Sequence, residues 1–227
     1  MKKAIVTGHS AGLGAALTAQ LAADGFEVLG ISRSSGAQLD LGQPKALTEW
    51  LESGALREFM ADATDLVLIN NAGTVAPIAF VGRQDAEAIE QSVNLNVTAP
   101  LILTDAVVRE RPGGAELRVV HISSGAGRHA YETWSVYCAG KAAVDMHATA
   151  LAAEQLDGVK VASIAPGVVD TGMQEAIRGA DFPSRDRFQA LKDEGQLSSP
   201  EGAARAIITL LNRSDFGEKV ITDVRDA

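Results

Sequence analysis

The sequence predicts an α/β fold: one domain over residues 1–227, with a doubly wound parallel sheet of about seven strands and helices on both faces. Three observations predict it. Short apolar runs of strand length alternate with longer stretches of helical periodicity along the whole chain. One run, Leu66-Val67-Leu68-Ile69, is apolar at every position, as expected of a strand covered on both faces. A glycine-rich turn joins the first strand directly to the first helix.

The elements follow in order. Met1-Lys2-Lys3 leads into Ala4–Thr7, an apolar stretch too short for a secretion signal that runs straight into the glycine turn, so it is strand one. Leu13–Asp24 has helical spacing and stops at Gly25. Glu27–Ser32 and Ala37–Leu41 are the next strands, joined by a loop too short for a helix. Pro44–Ala61 reads as one helix, Asp65–Asn70 as a strand, and Asp85–Arg109 as one long helix ended by Pro112-Gly113-Gly114. Leu117–Ser123, the helix Trp134–Leu156 and Val159–Ala165 come next. Asp170–Gln196 is irregular, with Gly172, Gly179, Pro183 and Gly195 inside it. Pro200–Leu211 is the last helix and Lys219–Thr222 the last strand. No linker, repeat or low-complexity segment divides the chain.

Composition narrows the function classes. Aromatic residues are only 4% against 46% hydrophobic, so Ala, Val, Leu and Ile must build the core. The formal charge of −9 gives no general attraction to nucleic acid or to an anionic membrane, and neither is expected as a partner. A bound phosphate would need a local device. The single cysteine, Cys138, excludes an internal disulfide and suits a reducing cytoplasm, the expected location. No apolar run approaches the ~20 residues of a membrane span. No His, Cys or carboxylate cluster has metal-ligand spacing, so no metal is expected.

The motifs fall at carboxyl ends of predicted strands, where ligands of such sheets bind. Thr7-Gly8-His9-Ser10-Ala11-Gly12-Leu13-Gly14 supplies that local device. Its glycines allow a tight turn and close backbone approach to a pyrophosphate, and the helix start offers free N–H groups. Tyr137 and Lys141 lie four apart on one helix face. A phenol with a reference pKa of ~10 becomes useful near neutrality when a neighbouring ammonium stabilises the phenolate, and Lys141 is expected to lower it. Ser124 ends a strand thirteen residues before Tyr137 and has a hydroxyl able to bind a carbonyl oxygen, with Ser123 as the runner-up.

These motifs resemble the short-chain dehydrogenase/reductase family, a Rossmann-type fold, over nearly the whole chain. The quoted residues match T-G-x-x-x-G-x-G at Thr7–Gly14, N-N-A-G at Asn70–Gly73, Y-x-x-x-K at Tyr137–Lys141 and P-G-x-x-x-T at Pro166–Thr171. The resemblance implies that Gly8, Ser10, Gly12, Leu13 and Gly14 hold a nicotinamide dinucleotide, with Asn71, Ala72 and Gly73 along its adenosine side and Asp40 at its adenine amino group. Pro166, Gly167, Val169 and Thr171 then hold the nicotinamide, and Lys141 reaches its ribose. Ser124, Tyr137 and Lys141 are the implied catalytic residues. Asn94, in Val93-Asn94-Leu95, is expected to anchor a proton-relay water, and Asn96 to be structural.

Strand two ends Ser32-Arg33, with no acid to repel a ribose 2′-phosphate and with Arg33 to bind one, which favours NADP(H) over NAD(H). One departure is His9-Ser10-Ala11, which lacks the second basic residue that many NADP-preferring relatives carry in this turn. Met173-Gln174, Leu191–Leu197, Asp215-Phe216 and Asp223 resemble the sepiapterin reductase and benzil reductase branch. That implies reduction of a ketone, a vicinal diketone or a pterin side-chain carbonyl. Trp134, Met173 and Tyr131 are candidate pocket walls, and Asp223, with Asp226 close by, a candidate substrate anchor. His121 reads as a packed histidine. The alternatives are an NAD-dependent alcohol dehydrogenase and a catalytically silent cofactor-binding regulator. The resemblance further implies a homodimer or homotetramer built on the two long helices.

Overall fold

A computed structural model describes all residues 1–227. Seven strands form one wholly parallel sheet: β1 Lys2–Thr7, β2 Glu27–Ser32, β3 Ala37–Gln38, β4 Asp65–Asn70, β5 Glu116–Ile122, β6 Val159–Ala165 and β7 Ile221–Asp223. Their order across the sheet is β3-β2-β1-β4-β5-β6-β7, with every neighbour pair parallel. The helices are α1 Gly12–Ala23, α2 Pro44–Glu52, α3 Ala55–Met60, α4 Ala86–Val93, α5 Ala99–Glu110, α6 Ser135–Ala153, α7 Gly172–Gly179, α8 Arg185–Asp193 and α9 Pro200–Leu211.

The two-residue period of the strands sorts the core into two layers. Ile5, Leu66, Leu68, Leu117 and Val119 pack on the face covered by α2, α3, α5 and α6. Their sequence neighbours Val6, Val67, Ile69, Val120 and Ile122 pack on the face covered by α1 and α9. A third cluster lies beyond the strand ends, where α7 and α8 close on the start of α6 through Val75, Trp134, Tyr137, Ile177, Phe182 and Phe188.

Four sequence expectations change. The predicted helix 44–61 is two helices, because Gly54 adopts φ +83° between α2 and α3. The predicted helix 85–109 contains a π-helical turn at Asn94–Thr98. Pro100 cannot donate the backbone hydrogen bond that a regular helix needs there. The segment 170–196, read as irregular, forms α7 and α8. Strand β3 is shorter than expected, ending at Gln38.

Candidate active site

The glycine turn packs as tightly as its sequence demands. Gly8 and Gly12 have φ +67° and +52°, which favour glycine. A Cβ on Gly14 would lie 2.1 Å from the Gly8 carbonyl oxygen, so α1 sits against the turn with no room for a side chain. No side chain caps the start of α1, which leaves the first-turn N–H groups free for an anion. The Thr171 methyl stands 3.0 Å from where a Gly12 Cβ would be, so the loop after β6 closes over the turn. This uncapped, side-chain-free cradle fits the pyrophosphate of a nicotinamide dinucleotide.

Strands β1 and β4 are tied at the same edge. Thr7 Oγ1 accepts from the Asn71 and Ala72 backbone N–H groups at 2.9 and 3.0 Å, and Asn71 Nδ2 donates to the Thr7 carbonyl at 2.9 Å. After β2, the Ser32 hydroxyl accepts from Ser35 N at 3.1 Å and donates to the Ser35 carbonyl at 2.9 Å, which shapes the loop, while Arg33 stands exposed. His9 lies in the space opened by Gly30 and has Nε2 3.1 Å from the Ser35 hydroxyl. The sequence offered no sign of this packing. Asp40 is exposed and accepts from Gly42 N at 2.9 Å.

Tyr137 and Lys141 project from one face of α6, both buried. Lys141 Nζ donates to the Ile122 carbonyl at 2.8 Å and lies 5.6 Å from the centre of the Tyr137 ring. Burial pushes the Lys141 ammonium down to about 8, and Asp145 opposes that shift. The expected lowering of Tyr137 is corrected. Burial pushes its phenol up to about 12, and the Ser124 hydroxyl offsets only part of this. The Lys141 ammonium is engaged by a carbonyl and sits beside the ring, so it does not reverse the effect of burial.

Ser124 caps the short 3₁₀ turn Gly125–Gly127 by accepting from Ala126 N at 3.2 Å. Ser123, the runner-up, points into the protein: its hydroxyl is buried without a partner. The expectation for Asn94 is also corrected. Asn96 is the residue beside Lys141, buried in the π-helical turn. Its Oδ1 accepts from Thr74 N at 2.9 Å, and its Nδ2 donates to the Thr74 carbonyl at 2.8 Å. A Cβ on Gly73 would meet Asn96 Oδ1 at 2.9 Å and Lys141 Nζ at 3.6 Å. Two residues of helix rotate Asn94 away from this point.

Pro166, Gly167 (φ +74°), Val169 and Thr171 line the loop leaving β6, and Val169 pairs with Ser198 in an isolated bridge. Trp134 is an aromatic hub: it stacks with Tyr131 at 5.1 Å, meets Tyr137 edge-on at 5.8 Å, and packs on Phe188 at 5.1 Å and Phe182 at 6.1 Å. Met173 covers Tyr137, with Sδ 3.9 Å from the hydroxyl. Asp223 stands at the end of β7, but both its oxygens are held by Arg225, at 2.7 and 2.9 Å. His121 is buried and packed, as expected, and pairs with His147 at 3.0 Å. No helix is long and apolar enough to cross a membrane, and no group of three or more potential metal ligands forms.

The sequence model described as short chain dehydrogenase matches residues 2–181. The chain is 36% identical to benzil reductase ((S)-benzoin forming) of Bacillus cereus, over 98% of this chain and 100% of that protein. It is 33% identical to sepiapterin reductase of Meriones unguiculatus, over 98% and 95%. A solved short-chain dehydrogenase/reductase from Burkholderia vietnamiensis superposes with a TM-score of 0.71 at 39% identity, covering 99% and 97% of the two chains. The sheet order, the side-chain-free glycine turn and these likenesses agree: the chain belongs to the short-chain dehydrogenase/reductase family of oxidoreductases.

Proposed function

We propose that the chain is an NADP(H)-dependent carbonyl reductase whose substrate is a ketone or vicinal diketone bearing apolar or aromatic groups. The observation that carries this reading is the convergence of Ser124, Tyr137 and Lys141 beneath an aromatic wall. The three lie on the turn after β5 and on α6, and Trp134, Phe182 and Phe188 cluster with Tyr137.

Gly8, Ser10, Gly12, Leu13 and Gly14 would hold the pyrophosphate. Arg33 would hold the 2′-phosphate, Asp40 and Asn71–Gly73 the adenosine, and Pro166–Thr171 the nicotinamide. Bound NADPH would supply the hydride. Ser124 holds the substrate carbonyl oxygen by its hydroxyl. Tyr137 stays protonated far above neutral pH and donates its proton to that oxygen as negative charge develops. Lys141 supplies positive charge beside the phenol, and Asn96 fixes the Gly73–Thr74 backbone that closes this side of the site. Met173 and the α7–α8 segment exclude water.

The likeness to benzil reductase supports a diketone. The hold of Arg225 on Asp223 weighs against a pterin, whose amino group would need a free carboxylate. The test is turnover of benzil, 1-phenyl-1,2-propanedione, sepiapterin and acetophenone with each cofactor. The reading expects kcat/KM to be at least tenfold higher with NADPH than with NADH, and higher for the two diketones than for the other two. Turnover only with NADH, or no turnover of any carbonyl, rejects it.

A further inference from the structure

The carboxylate of Asp145 lies one helical turn beyond Lys141, at the crossing of four elements. Its Oδ1 accepts from the Ser163 hydroxyl on β6 at 2.6 Å, and its Oδ2 accepts from Arg128 Nε at 3.2 Å. Arg128 follows the 3₁₀ turn that Ser124 caps, and its Nη2 donates to the Thr222 carbonyl on β7 at 3.3 Å. The turn lies flat on α6: a Cβ on Gly127 would come 2.9 Å from the Lys141 carbonyl carbon and 3.0 Å from Asp145 Oδ2. The Asp145 side chain is 11% exposed and that of Arg128 30%, so the pair is shielded from bulk water far better than a surface ion pair.

We propose that Asp145 is a positioning residue: through Arg128 it clamps the Ser124 turn to the helix that carries Tyr137 and Lys141, and it places a carboxylate one turn from Lys141. The groups around Lys141 are Tyr137 and Asp145 on α6, His121 on β5 and Asn96 on the π-helical turn. Asp145 is the only carboxylate among them. Arg128 carries the opposite charge beside it, so removing either partner must move the Lys141 ammonium in opposite directions. A purely structural clamp predicts no such opposition.

This inference rests on the carbonyl-reductase reading, and its test separates the two. Lys141 is titrated in the cofactor-free protein by NMR of ¹³C-labelled lysine, alongside kcat and KM against pH. Asp145→Asn should move the Lys141 midpoint and the basic limb of kcat down by about half a pH unit or more. It should also cut kcat about tenfold with little change in KM for NADPH. Arg128→Met should move the midpoint up while also lowering kcat, and Arg128→Lys should restore both. An unmoved midpoint in Asp145→Asn, or shifts of the same sign in both variants, overturns the proposal. If Asp145→Asn does not fold, Arg128→Met decides alone: a raised midpoint supports the proposal, and an unmoved or lowered one overturns it. A wild-type chain that reduces no carbonyl would reject the function but leave the Lys141 titration intact as the test of Asp145.

Discussion

The thioether of Met173 lies 3.9 Å from the hydroxyl of Tyr137, so the first turn of α7 seals the phenol that the site is built around. Together with Trp134 and Ile177 it forms the cover that pushes the phenol up to about 12. Met173→Ala should therefore lower the Tyr137 pKa, since burial is what raises it. Ultraviolet difference titration in a Tyr131→Phe background isolates the one remaining tyrosine. A midpoint that stays at the wild-type value would show that Met173 is not the cover.

Tyr137→Phe keeps the ring in its aromatic contacts and removes only the proton. Under the proposed mechanism kcat should fall by about 10²–10⁴ while the melting temperature stays near that of the wild type. Stopped-flow or steady-state NADPH oxidation measures the first and calorimetry the second. Undiminished turnover would rule out Tyr137 as the proton donor.

Asn96 and Asn94 should separate cleanly. Asn96→Ala strips the half-buried Thr74 backbone N–H and carbonyl of their side-chain partner, a cost of about 1–3 kcal/mol for the two bonds, and loosens the loop beside Lys141. Its kcat should drop at least tenfold. Asn94→Ala removes no such clamp and should remain within about 0.5 kcal/mol of the wild type. Urea unfolding and assays of both variants make the comparison, and equal losses in the two would refute the assignment.

Gly14→Ala puts a methyl group where the Gly8 carbonyl oxygen already sits, 2.1 Å from the new Cβ. The turn must open, and NADPH affinity should fall by more than about 100-fold, or some 3 kcal/mol. Fluorescence of bound NADPH reports this directly. Retained affinity would mean that the cofactor is held elsewhere.

The buried histidine pair predicts acid sensitivity. Asn70 Nδ2 donates to His121 Nδ1 at 3.2 Å, so His121 Nε2 carries the proton shared with His147 Nδ1 at 3.0 Å. Burial, His147 and Lys141 hold His121 down at about 3. A depressed base contributes stability that is complete above its unfolded value near 6.5 and is lost as pH falls from there toward 3. The loss amounts to roughly 5 kcal/mol at the acid end. His121→Asn should flatten the dependence of melting temperature on pH between 7 and 4. An equally steep curve would place the acid sensitivity elsewhere.

Much of the protein could be read directly from the chain. The short apolar runs, the helix stops and the glycine turn were local signals, and they located all seven strands and most helices. Tyr137–Lys141 could be named as a candidate because it is a short motif on one helix face, and Ser124 and the Pro166–Thr171 loop because each follows the end of a strand. What only the tertiary structure decided depends on contacts between distant segments. The position of Asn96 rather than Asn94 follows from the π-helical turn at Asn94–Thr98, and a plain helical period cannot resolve that two-residue choice. The raised phenol of Tyr137 comes from burial under α7 and α8, a segment whose glycines and single proline, Pro183, masked its helices. Arg128, Asp145 and Ser163 are unremarkable in sequence, and the folded sheet alone makes one cluster of them, 17 and 18 residues apart along the chain from the shared carboxylate. Local chemistry is written in neighbouring residues, whereas burial and charge pairing are properties of segments that meet only in the fold.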